Sequence, residues 1–410
     1  MAEAKLKYGK AQITLTIPDS TEKLETREPS FEINEEDFCK RLSGVLPVDA
    51  DSYKNTGIVV SDKTRLCGYP LYLPWITETL KKKGAKKENI TFYIAYGTHP
   101  KQTEEESLLS YGNTYREYRF VHHDCYDEDA LVQLGTTSRG TPVKVRKDTL
   151  ESTLLITFGA ISHHYFAGYG GGRKLLFPGL ADRKSIYQNH SLFLHKISRK
   201  LEEGCQPGNL DGNPLAEDLL EIDRLMPPKI SIHGLLNSKG EVCKLRIGKT
   251  YEDFLAACSE HDSNFRSGTN KQYDLVVASS GGYPKDINFI QAHKSVHHAA
   301  AFVKDGGKLV ILTECVDGIA SNYFLKYLEA GSFEKAYAML EKNYEGNGGT
   351  ALSMITKTNR INIYMMTSLD DTLCKTLNVK RVNEKEVQQI LNEEKGSVAV
   401  IQNASLLVRK

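Results

Sequence analysis

Residues 163–179 read HHYFAGYGGGRKLLFPG and set two histidines, five glycines and an adjacent Arg173–Lys174 pair into one short stretch. Imidazoles exchange protons near neutral pH. Glycines at 168, 170, 171 and 172 allow positive φ and close backbone approach, so a loop built from them can turn its N–H groups toward an anion. Arg173 and Lys174 add charge for phosphate or carboxylate. The stretch fits neither standard nucleotide motif: no Ser or Thr follows a Gly-Lys, as a P-loop requires, and no GxGxxG is properly spaced. A phosphate-bearing cofactor held in another way is allowed; an ATPase is not supported.

Other reactive side chains follow apolar runs. Val59-Val60-Ser61 leads into Asp62-Lys63-Thr64-Arg65, Tyr93-Ile94-Ala95-Tyr96 into Gly97-Thr98-His99-Pro100, and the 153–158 run into Gly159, His163 and His164. Three strands thus deliver ionisable groups at their carboxyl ends, where open α/β sheets form their ligand crevice. Each has a plainer reading: a local ion pair for Asp62 and Arg65, a loop histidine for His99, a strand end for His122-His123. The coincidence of three favours one shared site. Ile186, His190, Leu194, Ile197 and Leu201 recur at helical spacing, which places His190 on an apolar face as either a hydrogen-bonded core histidine or a metal ligand.

The elements that must position these groups alternate between short apolar runs and helix-like segments, the sequence form of α/β architecture. Strands are expected at 12–17, 56–61, 89–96, 118–122, 142–146 and 153–158, helices at 35–42, 73–83, 181–201 and 215–226, and a hairpin around 237–240. The polar stretch 259–272 reads as a linker, and a new series with strands near 273–278, 308–313, 361–366 and 397–401 follows it. The expectation is two α/β domains with the active site in the cleft between them. Residues 1–260 form the larger one, completed by a segment near 400–410, and 271–395 form the smaller one.

With 410 residues, 40% hydrophobic, 26% charged and a net charge of +1, the composition argues against nucleic acid or an anionic membrane as partner. The basic run 81–87 suits a solvated helix end. Eight cysteines without a CxxC pair suggest a reducing compartment rather than a zinc ribbon or disulfide framework, and the absence of a signal-like or membrane-length apolar stretch suggests the cytoplasm. Oligomeric state is left open.

These residues resemble those of the nickel-dependent lactate racemase family. His164-Tyr165-Phe166-Ala167-Gly168-Tyr169-Gly170-Gly171-Gly172-Arg173-Lys174, followed by Pro178-Gly179, is similar in order and spacing to that family's H-x-F-A-G-F-S-G-G-A-K-x-x-x-P-G. Asp62 to Arg65 looks like its D-x-T-R, Gly97-Thr98-His99 like its G-T-H, and Gln291-Ala292-His293-Lys294 like its Q-x-x-K, with His190 at the spacing of a further family histidine. The resemblance implies a nickel-pincer nucleotide (pyridinium-3-thioamide-5-thiocarboxylic acid mononucleotide) tethered to Lys174, with His190 as a ligand of square-planar nickel. Asp62, Gly170, Gly171, Gly172 and Arg173 would surround it, and cofactor-synthesis enzymes would be maturation partners.

By the same resemblance His99 and His164 act as alternating acid and base on a 2-hydroxy acid whose C2 hydrogen leaves and returns as hydride, while Arg65, Gln291 and Lys294 hold its carboxylate. Strand alternation turns His163 and His164 apart, so only one of them should face the site. Gln291, Lys294 and His298, at i, i+3 and i+7, share a helical face. Departures bear on substrate: Ile290 stands where the family tends to have an aromatic, the only Trp is Trp75, the loop reads GGGRK, and Ser162 replaces a proline. A 2-hydroxy acid other than lactate, larger or more polar, is expected. Two competing readings use the same cofactor: an oxidoreductase releasing a keto acid, and a carrier without turnover.

Overall fold

The runs Thr56–Ser61, Ile90–Ala95 and Leu154–Ala160 are buried almost end to end, as strands covered on both faces must be, and they pair in parallel. In the computed structural model, which describes residues 2–30, 33–227 and 229–410, they form the middle of a six-stranded sheet. Arg119–His122 extends it on one side; Ile230–Leu236 and the antiparallel Val242–Gly248 extend it on the other. The chain starts in the middle with Thr56–Ser61, works outward through Ile90–Ala95, then returns to add Leu154–Ala160 on the opposite side. That reversal creates a switch point, and the carboxyl ends beside it are where a crevice opens in such sheets.

This sheet belongs to a unit made of residues 28–192 and 204–262; residues 1–27, 193–203 and 263–410 make a second unit. The second unit has its own six-stranded parallel sheet, ordered Lys380–Arg381, Asn362–Met366, Val303–Leu312, Tyr273–Ser279, Val398–Ile401, Glu22–Leu24. The division departs from the sequence-based one at both termini. The hairpin Ala2–Tyr8/Ala11–Ile17 buries Leu6, Leu15 and Ile17 against Leu275, Val277, Val310 and Val400, so residues 1–27 complete the second unit, as does the segment near 400–410.

Most expected elements form. Two differ for a physical reason. The helix expected over 181–201 stops at Ser191: Arg199 takes a positive φ of 52°, and Ile197, which helical spacing would bury, is 93% exposed. The expected linker 259–272 is helix as far as Phe265, because Cys258, His261 and Phe265 give its polar sequence a buried stripe.

Two buried histidines make the first unit acid-sensitive. Burial pushes His123 down to about 4, although its Nε2–H donates to the Ala181 carbonyl at 3.0 Å, and burial pushes His233 down to about 4 as well. The unfolded chain takes up these protons below pH 6.5 and the native chain only near 4, so stability falls as pH drops through that window, by about 2 kcal/mol per histidine at pH 5. His123→Gln, whose amide reaches where Nε2 does, should narrow the gap in melting temperature between pH 7 and pH 5. An unchanged gap would exclude His123 as a cause.

Candidate active site

A row of small side chains lets the glycine-rich loop lie on the sheet. Ser61 pairs with Ala95, while Val60 pairs with Phe158, so Ala95, Ser61 and Gly159 line up across three strands. A Cβ on Gly159 would stand 3.1 Å from Leu175 Cδ1, and one on Gly179 would stand 2.2 Å from the Leu175 carbonyl. Gly171 turns the chain onto this platform with φ of 75°, and any Cβ there would meet the Ala160 carbonyl at 2.2 Å. The neighbouring loop is tied in: the Gly97 N–H donates to the Gly179 carbonyl at 2.8 Å. Segments carrying His99 and Lys174 are therefore fixed to one another through backbone.

Asp62, at the end of Thr56–Ser61, is 3% exposed. Its Oδ1 accepts from the Thr64 N–H at 3.0 Å and hydroxyl at 2.6 Å, capping the turn Lys63–Arg65, and its Oδ2 lies 2.6 Å from His99 Nδ1. Burial opposes ionisation, but the hydrogen bond and charge of His99, the Thr64 hydroxyl and the Arg65 guanidinium outweigh it and hold the carboxyl below its usual range. A carboxylate on Nδ1 puts the His99 proton there and leaves Nε2 with its lone pair. That is the tautomer of a general base. The Asp62–Arg65 ion pair of the plainer reading is thus secondary to an Asp62–His99 pair. Arg65 itself is exposed beside them.

His164, Lys174 and His190 meet around one ring. The Phe166 centroid lies 4.5 Å from that of His164, 5.1 Å from that of His190 and 5.9 Å from Lys174 Nζ. His190 sits in the last turn of the helix Arg183–Ser191, which Asp182 caps through the N–H groups of Lys184 and Ser185 and which Asn189 anchors to Asp218. His190 keeps some exposed surface, but burial and then the Lys174 cation push its pKa down to about 3. The backbone of Ile186 one turn back opposes this only weakly and makes no hydrogen bond of ordinary geometry with the sealed Nδ1. A neutral imidazole beside a lysine amine results. His164 Nδ1 accepts the Ala167 N–H at 3.2 Å, which places its proton on Nε2.

The other expected residues fall elsewhere. His163 turns the opposite way from His164, its side chain 2% exposed with Nε2 2.8 Å from Asp262 Oδ1, as alternation along Ser162–His164 requires. Arg173 points away from Lys174. It is 4% exposed, its guanidinium 4.8 Å from the Phe254 ring centroid, with none of its nitrogens hydrogen-bonded to protein. Gly170 lies in the short strand Gly168–Gly170, and Gly172 opens the turn that carries Lys174. In the second unit, Gln291 and Lys294 share a face of the helix Phe289–Ala300, and Lys294 Nζ donates to Gln291 Oε1 at 2.9 Å. His298 does not share that face: it is buried, its Nδ1 2.9 Å from the Ala404 carbonyl, and His297 takes its place on the more exposed side. Sequence reasoning passed over Phe166 as a hub, although it lies inside the quoted motif, and over His297.

These residues fit a tethered metallocofactor. Among the described residues no three His, Cys, Asp or Glu side chains cluster as a metal-ligand set. A metal at His190 would therefore draw its remaining donors from a cofactor. The neutral His190 ring and its neighbouring amine are side chains such a group would need: one imidazole donor and one tether.

A family model described as the lactate racemase N-terminal domain matches residues 8–201, and one described as the lactate racemase C-terminal domain matches residues 269–348. A lactate racemase of Thermoanaerobacterium thermosaccharolyticum is 29% identical over 340 residues, covering 80% of this chain and 78% of that protein. One of Lactiplantibacillus plantarum is 27% identical over 331 residues, covering 78% and 76%. The solved lactate racemase apoprotein of T. thermosaccharolyticum superposes with a TM-score of 0.89 at 24% identity over 100% of both chains. A Thermotoga maritima crystal structure gives 0.68 at 17% identity, covering 93% of this chain and 100% of that one. Both superpositions bear on fold alone.

Proposed function

Because the chain belongs to the lactate racemase family, we propose that it is a racemase or epimerase that inverts the C2 centre of a 2-hydroxy acid. The observation that carries this reading is the convergence of His164, Lys174 and His190 on Phe166, in the unit where Asp62 holds His99 as a base. Lys174 would hold a nickel-pincer nucleotide through its amine and His190 would ligate the metal, with Asp62, Gly170, Gly171 and Gly172 around it. When bound, that group supplies a centre able to take the C2 hydrogen with its electron pair and give it back.

The chain's own groups handle protons and position. His99, with Asp62 on Nδ1, accepts the hydroxyl proton of one antipode at Nε2. His164 accepts the proton of the other antipode at Nδ1, after releasing the Ala167 N–H; one neutral hydrogen bond costs about 1 kcal/mol, small against a catalytic barrier. Arg65 binds the substrate carboxylate, and Gln291 and Lys294 are assigned to it as further donors. No described helix is long and apolar enough to cross a membrane.

The test uses enzyme co-produced with cofactor-synthesis enzymes and a substrate deuterated at C2. Inversion with the label kept is expected. Wash-out of deuterium at the rate of inversion would mean direct deprotonation instead, and stoichiometric release of a keto acid would favour the oxidoreductase reading.

A further inference from the structure

The Asp62–His99 bond joins the ends of two neighbouring strands, and side chains hold the backbone on both sides of Asp62. Before it, the Ser61 N–H donates to Tyr69 Oη at 2.8 Å, and the Ser61 carbonyl accepts from Tyr111 Oη at 2.9 Å. After it, the Lys63 N–H donates to Gln102 Oε1 at 3.0 Å. Tyr69 and Tyr111 are fully buried, and Gln102 is 2% exposed. Gln102 lies in the loop that carries His99, so the two loops are joined twice, by Asp62 to His99 and by Lys63 to Gln102. The Gln102 amide has one allowed orientation: its oxygen faces a backbone N–H, and its Nε2 donates at 3.1 Å to Ser107 Oγ, whose own proton goes to the Thr103 carbonyl. The Gln102 N–H is fixed as well. It donates to Tyr96 Oη at 3.3 Å; that hydroxyl donates to His122 Nδ1 at 2.8 Å, His122 Nε2–H to Tyr115 Oη at 3.0 Å, and the Tyr115 hydroxyl to Glu104 Oε1 at 3.0 Å. A carboxylate only accepts and an amide N–H only donates, so both ends of this chain impose the same direction on a neutral His122.

We propose that Gln102 and Tyr111 are positioning residues for the His99 base, holding the backbone on either side of Asp62 so that its carboxylate stays on His99 Nδ1. The inference rests on the racemase reading and adds two residues that act through Asp62 and His99. A carboxylate 2.6 Å from Nδ1 keeps the ring proton there. If the Asp62 turn drifts, that proton is free to move to Nε2, and His99 is then a donor where a base is required. Misplacement by about 1 Å costs on the order of 100-fold in rate. His164 is held by other means: it lies in the hairpin Ser162–His164/Gly168–Gly170, and its Nδ1 accepts the Ala167 N–H. Loosening the Asp62 turn therefore weakens the base for one antipode and leaves the base for the other, a signature that general destabilisation of the fold does not produce.

Two variants and two measurements test it. Gln102→Met removes the acceptor for the Lys63 N–H at similar volume, and Tyr111→Phe deletes one oxygen while keeping the ring packed between Tyr69 and Phe120. In full-length chain with nitrogen-15 in its histidines, the His99 resonances should report the Nδ1–H tautomer in wild type and a larger Nε2–H fraction in both variants, with the His164 resonances unmoved. In cofactor-loaded enzyme, single turnover with a keto-acid trap should show each variant slowed about 10- to 100-fold toward the antipode that His99→Ala fails to oxidise, with the other antipode at its wild-type rate. Equal slowing toward both antipodes, or an unchanged His99 tautomer in both variants, overturns the proposal and leaves the racemase reading intact. If loaded wild-type enzyme oxidises neither antipode of any 2-hydroxy acid, the racemase reading fails, and the tautomer measurement by itself decides whether Gln102 and Tyr111 set the place of the His99 proton.

Discussion

Lys174→Ala is expected to leave a protein that carries no covalent adduct and has no measurable racemase activity. The amine lies over Phe166 and close enough to His190 to act on its charge, so it is the nucleophile positioned beside an imidazole that burial keeps neutral. Removing it deletes the tether and leaves the ligand. Lys174→Arg separates the two properties of the side chain, because a guanidinium keeps the cation next to the ring but does not form a thioamide. Intact-mass measurement on protein co-produced with cofactor-synthesis enzymes should show the adduct in wild type and in neither variant. Both variants should melt close to wild type, since the half-buried Lys174 fills no core position. An adduct that persists in Lys174→Ala would sink the assignment.

His99→Ala and His164→Ala should each lower kcat about 10²- to 10⁴-fold, the range for loss of a positioned acid or base, while keeping the adduct. Their informative difference lies in stereochemistry. A racemase needs one base on each side of its substrate, so in single turnover with a keto-acid trap each variant should oxidise one antipode and spare the other, and the two variants should choose opposite hands. If both lose both antipodes, the histidines do not divide the work by face. Asp62→Asn should resemble His99→Ala, because it removes the carboxylate that keeps the proton on Nδ1.

Much of the site could be read along the chain because its chemistry sits at fixed offsets from strand ends. A buried parallel strand declares itself by an unbroken apolar run, and whatever follows its last residue lies at the sheet's carboxyl edge. Asp62, His99 and His164 are candidates singled out in that way, Lys174 by its place in the glycine-rich motif and His190 by its spacing beyond it. Helical periodicity misled where it met a change of unit: Ile186, His190, Leu194, Ile197 and Leu201 keep the spacing, yet residues 193–203 belong to the second unit and the helix ends before them. The stretch 259–272 misled in the opposite sense, since a helix with one narrow buried stripe has the composition of a linker.

What the linear order of residues determined by itself is the α/β class, the strand ends and the identity of the reactive groups, because periodicity and apolar runs are local properties of the backbone. Only the tertiary structure decided which partner each reactive group has. The Asp62–His99 bond spans 37 positions. Which of two adjacent histidines faces a site depends on the helix or strand packed against them: Asp262 draws His163 inward, and the Ala404 carbonyl draws His298. Protonation state and tautomer follow from such neighbours and from burial, quantities that exist only once distant segments have been brought together.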